Sequence, residues 1–265
     1  MDRFVAPADV AGFSGPVVDC RYSLPDREAG RRAFGEGHIP GAVHLDLARD
    51  LSGPVERHGG RHPLPAPADF AARLAELGIG RDARVLLYDD GNCLFAARAW
   101  WMLRALGFPE PRLLTGGYAA WLAAGGEPTR ERSGPAAVAS APLPPAWPGV
   151  CVREELADLQ ARGGALVDAR DAPRYRGEVE PIDPVPGHIP GALNRPWQAF
   201  VGEGGAFREE AELRSLWGDL AEVRPLVVYC GSGVSACVNL LALAELGRDD
   251  ALLYAGSWSD WCSYL

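Results

Sequence analysis

The sequence contains no lysine, and all 26 of its basic residues are arginine. This absence excludes mechanisms that need a catalytic lysine, such as Schiff-base formation or phosphate binding by a P-loop. The chain has a formal net charge of −9 and no block of basic residues, which argues against nucleic-acid binding. Recognition of an anion must therefore rely on arginine side chains and backbone amides.

Long apolar segments are also absent. The N-terminal residues contain no apolar run of the length that a signal peptide needs. Residues 226–244 are uncharged, but Gly231, Gly233 and Asn239 interrupt them in a way typical of a strand, a loop and a helix. We therefore expect no membrane segment and a cytoplasmic protein.

The cysteines show no metal-binding spacing. None of the six forms a CxxC motif or a zinc-like pair of pairs, so we expect no metal site. A chain of this size does not need disulfides to stabilise its core, and we expect reduced thiols. The cysteines are Cys20, Cys93, Cys151, Cys230, Cys237 and Cys262.

An internal repeat organises the sequence. Four pairs of similar segments follow the same order in the two halves: 17–21 and 166–170, 37–42 and 187–192, 85–89 and 226–230, and 114–118 and 254–258. Four matched pairs in one order indicate a duplicated domain rather than a solenoid of short repeats.

Residues 131–149 separate the two copies. They contain five prolines and show neither helical nor strand periodicity, which is typical of a semi-extended linker. We therefore predict one domain over residues 1–130, a linker over 131–149 and a second domain over 150–265.

Within each copy, short apolar runs alternate with amphipathic stretches. In the second copy we predict strands at 165–168, 226–229 and 251–254, and helices at 209–220 and 235–246. This alternation indicates parallel βαβ units, in which ligands bind beyond the carboxyl ends of the strands. The loop after Tyr229 is therefore the predicted location of the site.

That loop has the composition of an anion-binding cradle. Its sequence is Cys230-Gly231-Ser232-Gly233-Val234-Ser235. The two glycines let successive N–H groups point inward, and the following helix adds the positive end of its dipole. A cysteine at this position is predicted to be a nucleophilic thiolate.

Two kinds of enzyme use such a loop. A tyrosine-phosphatase-type enzyme requires an arginine six residues after the cysteine, and Ala236 occupies that position here. The missing arginine argues against phosphoryl transfer. A cradle of neutral amides instead suits a cysteine persulfide, whose outer sulfur carries the negative charge.

The sequence resembles the two-domain rhodanese family, the sulfurtransferases that act on thiosulfate or 3-mercaptopyruvate. The motifs that carry the resemblance lie at 34–45, 97–104 and 254–261, and together with the repeat they cover nearly the whole chain. The resemblance implies an α/β protein with two tandem rhodanese-like domains, each a parallel five-stranded sheet flanked by helices. It also implies a catalytically silent first domain, in which Asp89 replaces Cys230.

The resemblance assigns roles to individual residues. Cys230 would be the nucleophile, Ser232 would assist its thiol, and Arg174 would hold the carboxylate of the donor. The other substrate-binding candidates are the rest of the loop and two basic side chains: Gly231, Gly233, Val234, Ser235, Arg176 and His62. For His62 a structural role is an equal alternative, and Arg176 could equally only solvate the rim of the site. No metal or cofactor is required.

One position of the proposed catalytic relay departs from the family pattern. An acidic residue is expected ten residues after His38, and the chain has Ala48 there. Asp46 or Asp50 could substitute for it. Ser235 also replaces a threonine that is common in the family, which is a mild change.

A second departure leaves the sulfur donor open. The loop favours the mercaptopyruvate branch of the family, but the second substrate arginine, expected nine residues after Arg174, is Asp183. With one arginine missing, thiosulfate and 3-mercaptopyruvate are equally supported. If the mercaptopyruvate branch is correct, Asp183→Arg should improve the use of that donor.

Side chains that recur in both halves are predicted to stabilise the fold rather than to act in catalysis. They are Asp19 with Asp168, Arg21 with Arg170, and His38 with His188.

The sequence thus predicts a sulfurtransferase. Cys230 would take a sulfur atom from thiosulfate or 3-mercaptopyruvate, form a persulfide, and pass the sulfur to cyanide or to a thiol such as glutathione or thioredoxin. The alternative is a non-catalytic rhodanese module that carries sulfur or binds another protein.

Overall fold

A computed structural model describes residues 3–140 and 144–265 of the chain. Their contacts group the chain into two compact units. The first unit contains the residues up to Gly53 together with Pro65–Pro148 and Glu203–Phe207, and the second contains Pro54–Leu64, Gly149–Gly202 and Arg208–Leu265. Part of the predicted linker, residues 141–143, lies outside the described residues.

The first unit is a parallel sheet flanked by helices. Its strands are β1 (Phe4–Val5), β2 (Val17–Asp19), β3 (Val43–His44), β4 (Leu86–Tyr88) and β5 (Arg112–Leu114). They lie in the order β1-β5-β4-β2-β3, and every pair is parallel. The helices are α1 (Ala29–Glu36), α2 (Pro67–Glu76), α3 (Leu94–Ala105) and α4 (Gly117–Ala123), with 3₁₀ turns at Pro7–Gly12 and Glu203–Gly205.

The second unit has the same kind of sheet. Its strands β6 (Ala165–Asp168), β7 (Leu193–Asn194), β8 (Leu226–Tyr229) and β9 (Leu252–Leu253) are parallel and lie in the order β7-β6-β8-β9. The helices are α5 (Leu156–Ala161), α6 (Ala172–Tyr175), α7 (Glu210–Trp217), α8 (Ala236–Glu245) and α9 (Ser257–Trp261). The 3₁₀ turns are Arg153–Glu155, Trp197–Phe200, Gly218–Glu222 and Cys262–Tyr264.

The predicted fold class is confirmed, with one difference in the second sheet. This sheet has four strands where five were expected. The fifth position is occupied by a single parallel bridge between Val150 and Leu253. The difference arises because the chain beside β9 pairs through one residue only, which is too short to form a strand.

The central strand and the helix after it form a rigid frame for the loop between them. Every residue of β8 is buried, as expected for a strand with helices on both faces of its sheet. Every residue of α8 from Ala236 to Ala244 is also buried, so this helix is covered on all sides. The loop at 230–235 therefore starts and ends on elements that are packed in the core.

Most of the predicted elements of the second copy are confirmed. The strands at 165–168 and 226–229 have the predicted bounds, and the helix predicted at 235–246 is α8. The third strand is shorter than predicted, because only Leu252–Leu253 pairs with β8. The helix predicted at 209–220 ends as an α-helix at Trp217, because Gly218 takes a φ of 53° and the chain continues as a 3₁₀ turn.

In each unit a buried ion pair connects the end of one strand, β2 or β6, to the chain that follows it. In the second unit Arg170 Nη2 donates to Asp168 Oδ2 at 2.7 Å and to the carbonyl of Gly187 at 2.7 Å. The first unit has the same arrangement, formed by Asp19, Arg21 and Gly37. The ion pairs predicted for these recurring residues are present in both units.

The recurring histidines also stabilise the turn that contains them. His188 Nδ1 makes a 2.8 Å hydrogen bond with the carbonyl of Tyr175, and the two rings are stacked. His38 is bonded to and stacked on Phe34 in the same way. Both histidines therefore have structural partners, as predicted.

We expect Tyr229→Phe to lower the free energy of unfolding by about 1–3 kcal/mol. The hydroxyl of Tyr229 accepts the N–H of Ile189 at 3.1 Å, and both residues are buried. The substitution leaves this N–H without an acceptor. Urea unfolding measures the change. Tyr264→Phe, at a site that is 45% exposed, is the control and should shift stability by less than about 0.5 kcal/mol. Equal midpoints for Tyr229→Phe and the wild type would contradict the prediction.

Candidate active site

Cys230 lies directly after β8, where the parallel sheet predicts a binding site. The N–H of Gly233 donates to its Sγ at 3.1 Å, so the loop curls around the sulfur. Gly233 has a φ of 77°, and a Cβ atom on it would lie 2.4 Å from the carbonyl oxygen of Ala255. Only glycine fits this position without strain. The structure thus has the curled backbone that the two glycines predict.

Ser257 anchors the backbone of the cysteine. Its hydroxyl accepts the N–H of Cys230 at 3.1 Å and donates to the carbonyl of Tyr254 at 2.9 Å. Ser257 is buried and has a φ of 58°, which is unfavourable for a residue with a side chain. The sequence motifs do not assign a role to this residue. The repeat contains a signal for it, because Gly117 is the matching residue of the first copy and has the same φ of 58°.

Residues 54–64 come from the first half of the sequence but pack in the second unit. The N–H of Gly59 donates to Asp260 Oδ1 at 2.7 Å, and the N–H of Arg61 donates to Ser259 Oγ at 3.1 Å. The ring of His58 is stacked on Tyr264. These contacts hold the segment against the C-terminal residues of the chain.

This segment brings His62 to the loop. His62 Nδ1 and Ser232 Oγ are joined by a hydrogen bond of 2.8 Å. Ser232 is two residues from Cys230 and is buried. The structure therefore brings together two predicted site side chains, a hydroxyl and an imidazole, at the loop that begins with Cys230.

Two arginines lie beside Gly231. A Cβ atom on this glycine would lie 3.5 Å from both terminal nitrogens of Arg174 and 3.1 Å from Nη2 of Arg61. Arg174 was a predicted site residue, whereas Arg61 was missed. The sequence signal for Arg61 was its position next to His62, but sequence alone does not reveal that this segment packs in the second unit.

Two acidic residues hold these arginines. Glu180 Oε1 accepts a hydrogen bond from Arg174 Nη2 at 2.7 Å, and Asp183 accepts from both Arg174 and Arg61. Burial lowers the pKa of Arg61, whereas the negative charge that Cys230 can carry acts in the opposite direction. Asp183, which stands where the family pattern has an arginine, is thus an acceptor for both guanidinium groups.

The remaining candidates take different positions. Arg176 is half exposed and forms an ion pair with Glu178 at 2.6 Å. Its partner is thus neither of the two acids that hold Arg61 and Arg174. Val234 is buried in the loop, and Ser235 is the residue before α8. Arg176 thus lies at the surface, whereas His62 lies at the loop.

The possible substitutes for Ala48 have partners in the first unit. Asp46 Oδ1 accepts the N–H groups of Ala48 and Arg49, at 2.8 and 3.1 Å. Asp50 Oδ1 accepts from Arg73 Nε at 2.8 Å. Both carboxylates therefore stabilise the loop in which they lie.

Most of the other cysteines are buried thiols of high pKa. Burial raises the pKa of Cys151 to about 12, and it also raises the pKa of Cys20, Cys93 and Cys262. A protonated thiol is a poor nucleophile. Cys237 donates to the carbonyl of Gly233 at 3.4 Å on the helix behind the loop.

The matching loop of the first unit holds a carboxylate in place of a thiol. Asp89 Oδ1 accepts the N–H groups of Gly91 and Cys93 at 3.0 and 3.2 Å, and Oδ2 accepts those of Phe95 and Ala96 at 3.0 and 3.2 Å. Burial raises the pKa of this carboxyl, although the amide hydrogen bonds oppose the shift. The chain itself thus supplies the acceptor for these amides.

Within 3–140 and 144–265, no group of three or more His, Cys, Asp or Glu side chains could hold a metal ion. In the same residues, no helix is long and apolar enough to span a bilayer.

Comparisons with known proteins agree with this architecture. The family model of the rhodanese-like domain matches residues 7–124 and 152–264. A Pseudomonas aeruginosa protein named "Probable 3-mercaptopyruvate sulfurtransferase" is 48% identical over 258 residues, which cover 92% of this chain and 88% of that protein. "Thiosulfate sulfurtransferase" of Cricetulus griseus is 35% identical over 272 residues, which cover 98% of this chain and 90% of that protein.

The solved structures give the same result. The 3-mercaptopyruvate sulfurtransferase from Leishmania major superposes with a TM-score of 0.85 at 32% identity, over 100% of this chain and 75% of that one. The names of the similar proteins therefore include both sulfur donors that the sequence leaves open.

We expect Asp89→Asn to lower the free energy of unfolding by about 1–3 kcal/mol, because the amide nitrogen cannot accept two of the four buried N–H groups. Urea unfolding measures the change. Asp90→Asn is the matched control, because its side chain is exposed, and it should change stability by less than about 0.5 kcal/mol. If the two variants unfold at the same urea concentration, the carboxylate is not the acceptor that these amides require.

Proposed function

The chain belongs to the two-domain rhodanese family of sulfurtransferases, and from that premise we propose that it transfers sulfur from 3-mercaptopyruvate through a persulfide on Cys230. The protein is an enzyme, so the non-catalytic alternative is set aside. One observation carries the choice of donor, namely the hydrogen bond between His62 and Ser232 in the loop that surrounds the cysteine.

In the first half-reaction the thiolate of Cys230 attacks the thiol sulfur of 3-mercaptopyruvate. The electron pair of the thiolate forms the new S–S bond, and the C–S bond of the donor breaks. The electron pair of that bond stays on carbon and gives the enolate of pyruvate. The enolate then takes up one proton, and the persulfide releases the proton that the donor thiol carried.

This reaction needs a proton to leave sulfur and a proton to reach carbon. Ser232 and His62 supply a hydroxyl and an imidazole that are already hydrogen-bonded to one another, and such a pair can pass a proton. Thiosulfate makes no such demand, because sulfite leaves as an anion without a proton transfer. The pair therefore supports 3-mercaptopyruvate as the donor.

The loop and Arg174 have separate tasks in this mechanism. The inward amides of the loop stabilise the negative outer sulfur of the persulfide, as the bond from the Gly233 N–H to Cys230 Sγ indicates. Arg174 binds the carboxylate of the donor through its planar guanidinium group, whose direction is fixed by the bonds to Glu180 and Asp183. Gly231 lets the donor approach, because a side chain there would meet the guanidinium groups.

The second half-reaction returns the enzyme to its starting state. A thiolate acceptor such as glutathione or thioredoxin, or cyanide, attacks the outer sulfur of the persulfide. The S–S bond breaks, and its electron pair returns to Cys230 as a thiolate. No external oxidant or reductant enters either half-reaction.

We expect Cys230→Ser to abolish sulfur transfer from both donors, because the hydroxyl does not form a persulfide. Wild-type enzyme incubated with 3-mercaptopyruvate and no acceptor should gain the mass of one sulfur atom, and cyanide should remove it. Intact-mass spectrometry measures this gain. Cys151→Ser, which replaces a buried thiol of raised pKa, should gain the same mass. Wild-type turnover by the Cys230→Ser variant would disprove the mechanism.

We expect Ser232→Ala and His62→Asn to lower kcat for 3-mercaptopyruvate by about 100-fold, because proton transfer contributes about 10²–10⁴ to such rates. The rate with thiosulfate should change only a few-fold, which makes that donor the internal control. Steady-state kinetics with both donors measure the difference. An equal loss with the two donors would mean that the pair only shapes the loop. A wild type that prefers thiosulfate would refute the choice of donor.

A further inference from the structure

Two guanidinium groups reach the residue that follows Cys230. The position that a Cβ atom of Gly231 would occupy lies 3.1 Å from Arg61 Nη2 and 3.5 Å from Arg174 Nη1 and Nη2. The two arginines therefore converge on one point of the loop, although more than a hundred residues separate them in the sequence.

Asp183 holds both groups from the other side. Its Oδ1 accepts from Arg61 Nη1, and its Oδ2 accepts from Arg174 Nη2 at 3.3 Å. The Asp183 side chain is 2% exposed, whereas those of Arg61 and Arg174 are 31% and 15% exposed. One buried carboxylate thus sets the spacing of two partly accessible guanidinium groups.

Each guanidinium keeps a terminal nitrogen that these carboxylates do not use. Within residues 3–140 and 144–265, Arg61 Nη2 and Arg174 Nη1 donate to no protein acceptor. The same two nitrogens face Gly231. A carboxylate has two oxygens, so it can accept one hydrogen bond from Arg61 Nη2 and one from Arg174 Nη1.

Position 183 is where the family pattern expects the second substrate arginine. This chain has an acid at that position and an arginine at 61 that pairs with it. The second guanidinium is therefore supplied by residues 54–64 rather than by the chain that follows α6. The pairing also explains why an acid is tolerated beside a site for an anionic donor.

We propose that Arg61 is the second donor-binding residue of this site, that it binds the carboxylate of the 2-oxo acid together with Arg174, and that Asp183 is a positioning residue for both. This inference rests on the proposed function, because Arg61 is assigned to the carboxylate of the donor. That carboxylate belongs to the part of the donor that remains when the sulfur has moved to Cys230.

The assignment changes the expected effect of Asp183→Arg. An arginine at 183 removes the acceptor that holds Arg61 and places three guanidinium groups together, so this single change should weaken donor binding. The same change should help only when Arg61 is absent, because the new arginine then takes over the missing charge.

Steady-state kinetics with 3-mercaptopyruvate test the proposal. Arg61→Ala should raise KM by about 10- to 100-fold, as expected for the loss of a charged hydrogen bond, and should change kcat much less. Asp183→Arg alone should also raise KM. The double variant Arg61→Ala/Asp183→Arg should recover most of the loss. Arg57→Ala, an exposed arginine of the same segment, is the matched control and should keep the wild-type KM.

Inhibition by pyruvate gives a readout of carboxylate binding that does not involve the sulfur of the donor. Pyruvate has the carboxylate of the donor but no sulfur, so its inhibition constant should rise in Arg61→Ala and return towards the wild-type value in the double variant. A wild-type KM in Arg61→Ala overturns the proposal. A double variant no better than Arg61→Ala also overturns it, since Arg61 would then only hold its segment in place.

Persulfide formation distinguishes a failure of this proposal from a failure of the proposed function. If the wild type gains no sulfur from the donor, the proposed function fails. If the wild type gains sulfur and Arg61→Ala does so at the same donor concentration, only the assignment of Arg61 fails. The expected result is a persulfide in both proteins, which Arg61→Ala forms only at a higher donor concentration.

Discussion

The N–H groups at the start of a helix need acceptors, and the loop after the central strand of each unit meets this need in a different way. In the first unit the carboxylate of Asp89 accepts four N–H groups, two from the loop and two from the first turn of α3, so the chain supplies its own acceptor. In the second unit the sulfur of Cys230 stands at the matching position and receives the Gly233 N–H. Sulfur is a weaker acceptor than a carboxylate, and a persulfide on Cys230 would place a negative charge in this loop. One requirement of the fold accounts for a stabilising contact in one unit and for the proposed persulfide site in the other.

The absence of lysine has a structural counterpart in the second unit. Arginines and acids alternate in one connected series of ion pairs: Asp168, Arg170, Glu180, Arg174, Asp183 and Arg61. Each inner member bonds two neighbours, which a planar guanidinium can do in fixed directions and a lysine ammonium cannot. The series starts at the end of β6 and ends beside the Cys230 loop. It transmits the rigidity of the sheet to the groups that we assign to the donor, so little ordering is left to be done when the donor binds.

The sequence predicted the fold better than it predicted the site. The apolar runs of β6 and β8 give their bounds correctly, because strands buried on both faces carry no polar residue until they end. The loop was predictable because its glycines permit few other shapes. Arg61 was not, because no local pattern tells which unit a loop segment packs against. Ser257 was not, because its conformation is imposed by the packing around it and is unfavourable for its residue type. The single bridge at Val150 depends on pairing geometry that composition does not encode.

The position of residues 54–64 limits how the two copies of the duplicated domain can be separated during evolution. Duplication of a domain usually yields two parts that can be lost, exchanged or recombined independently. Here the segment that carries Arg61 and His62 is encoded within the first copy, whereas its side chains serve the second. A chain cut at residues 131–149 would leave the second copy without them. Loss of the first copy would therefore also remove the two side chains that we assign to the site of the second, although the loop of the first copy itself holds a carboxylate.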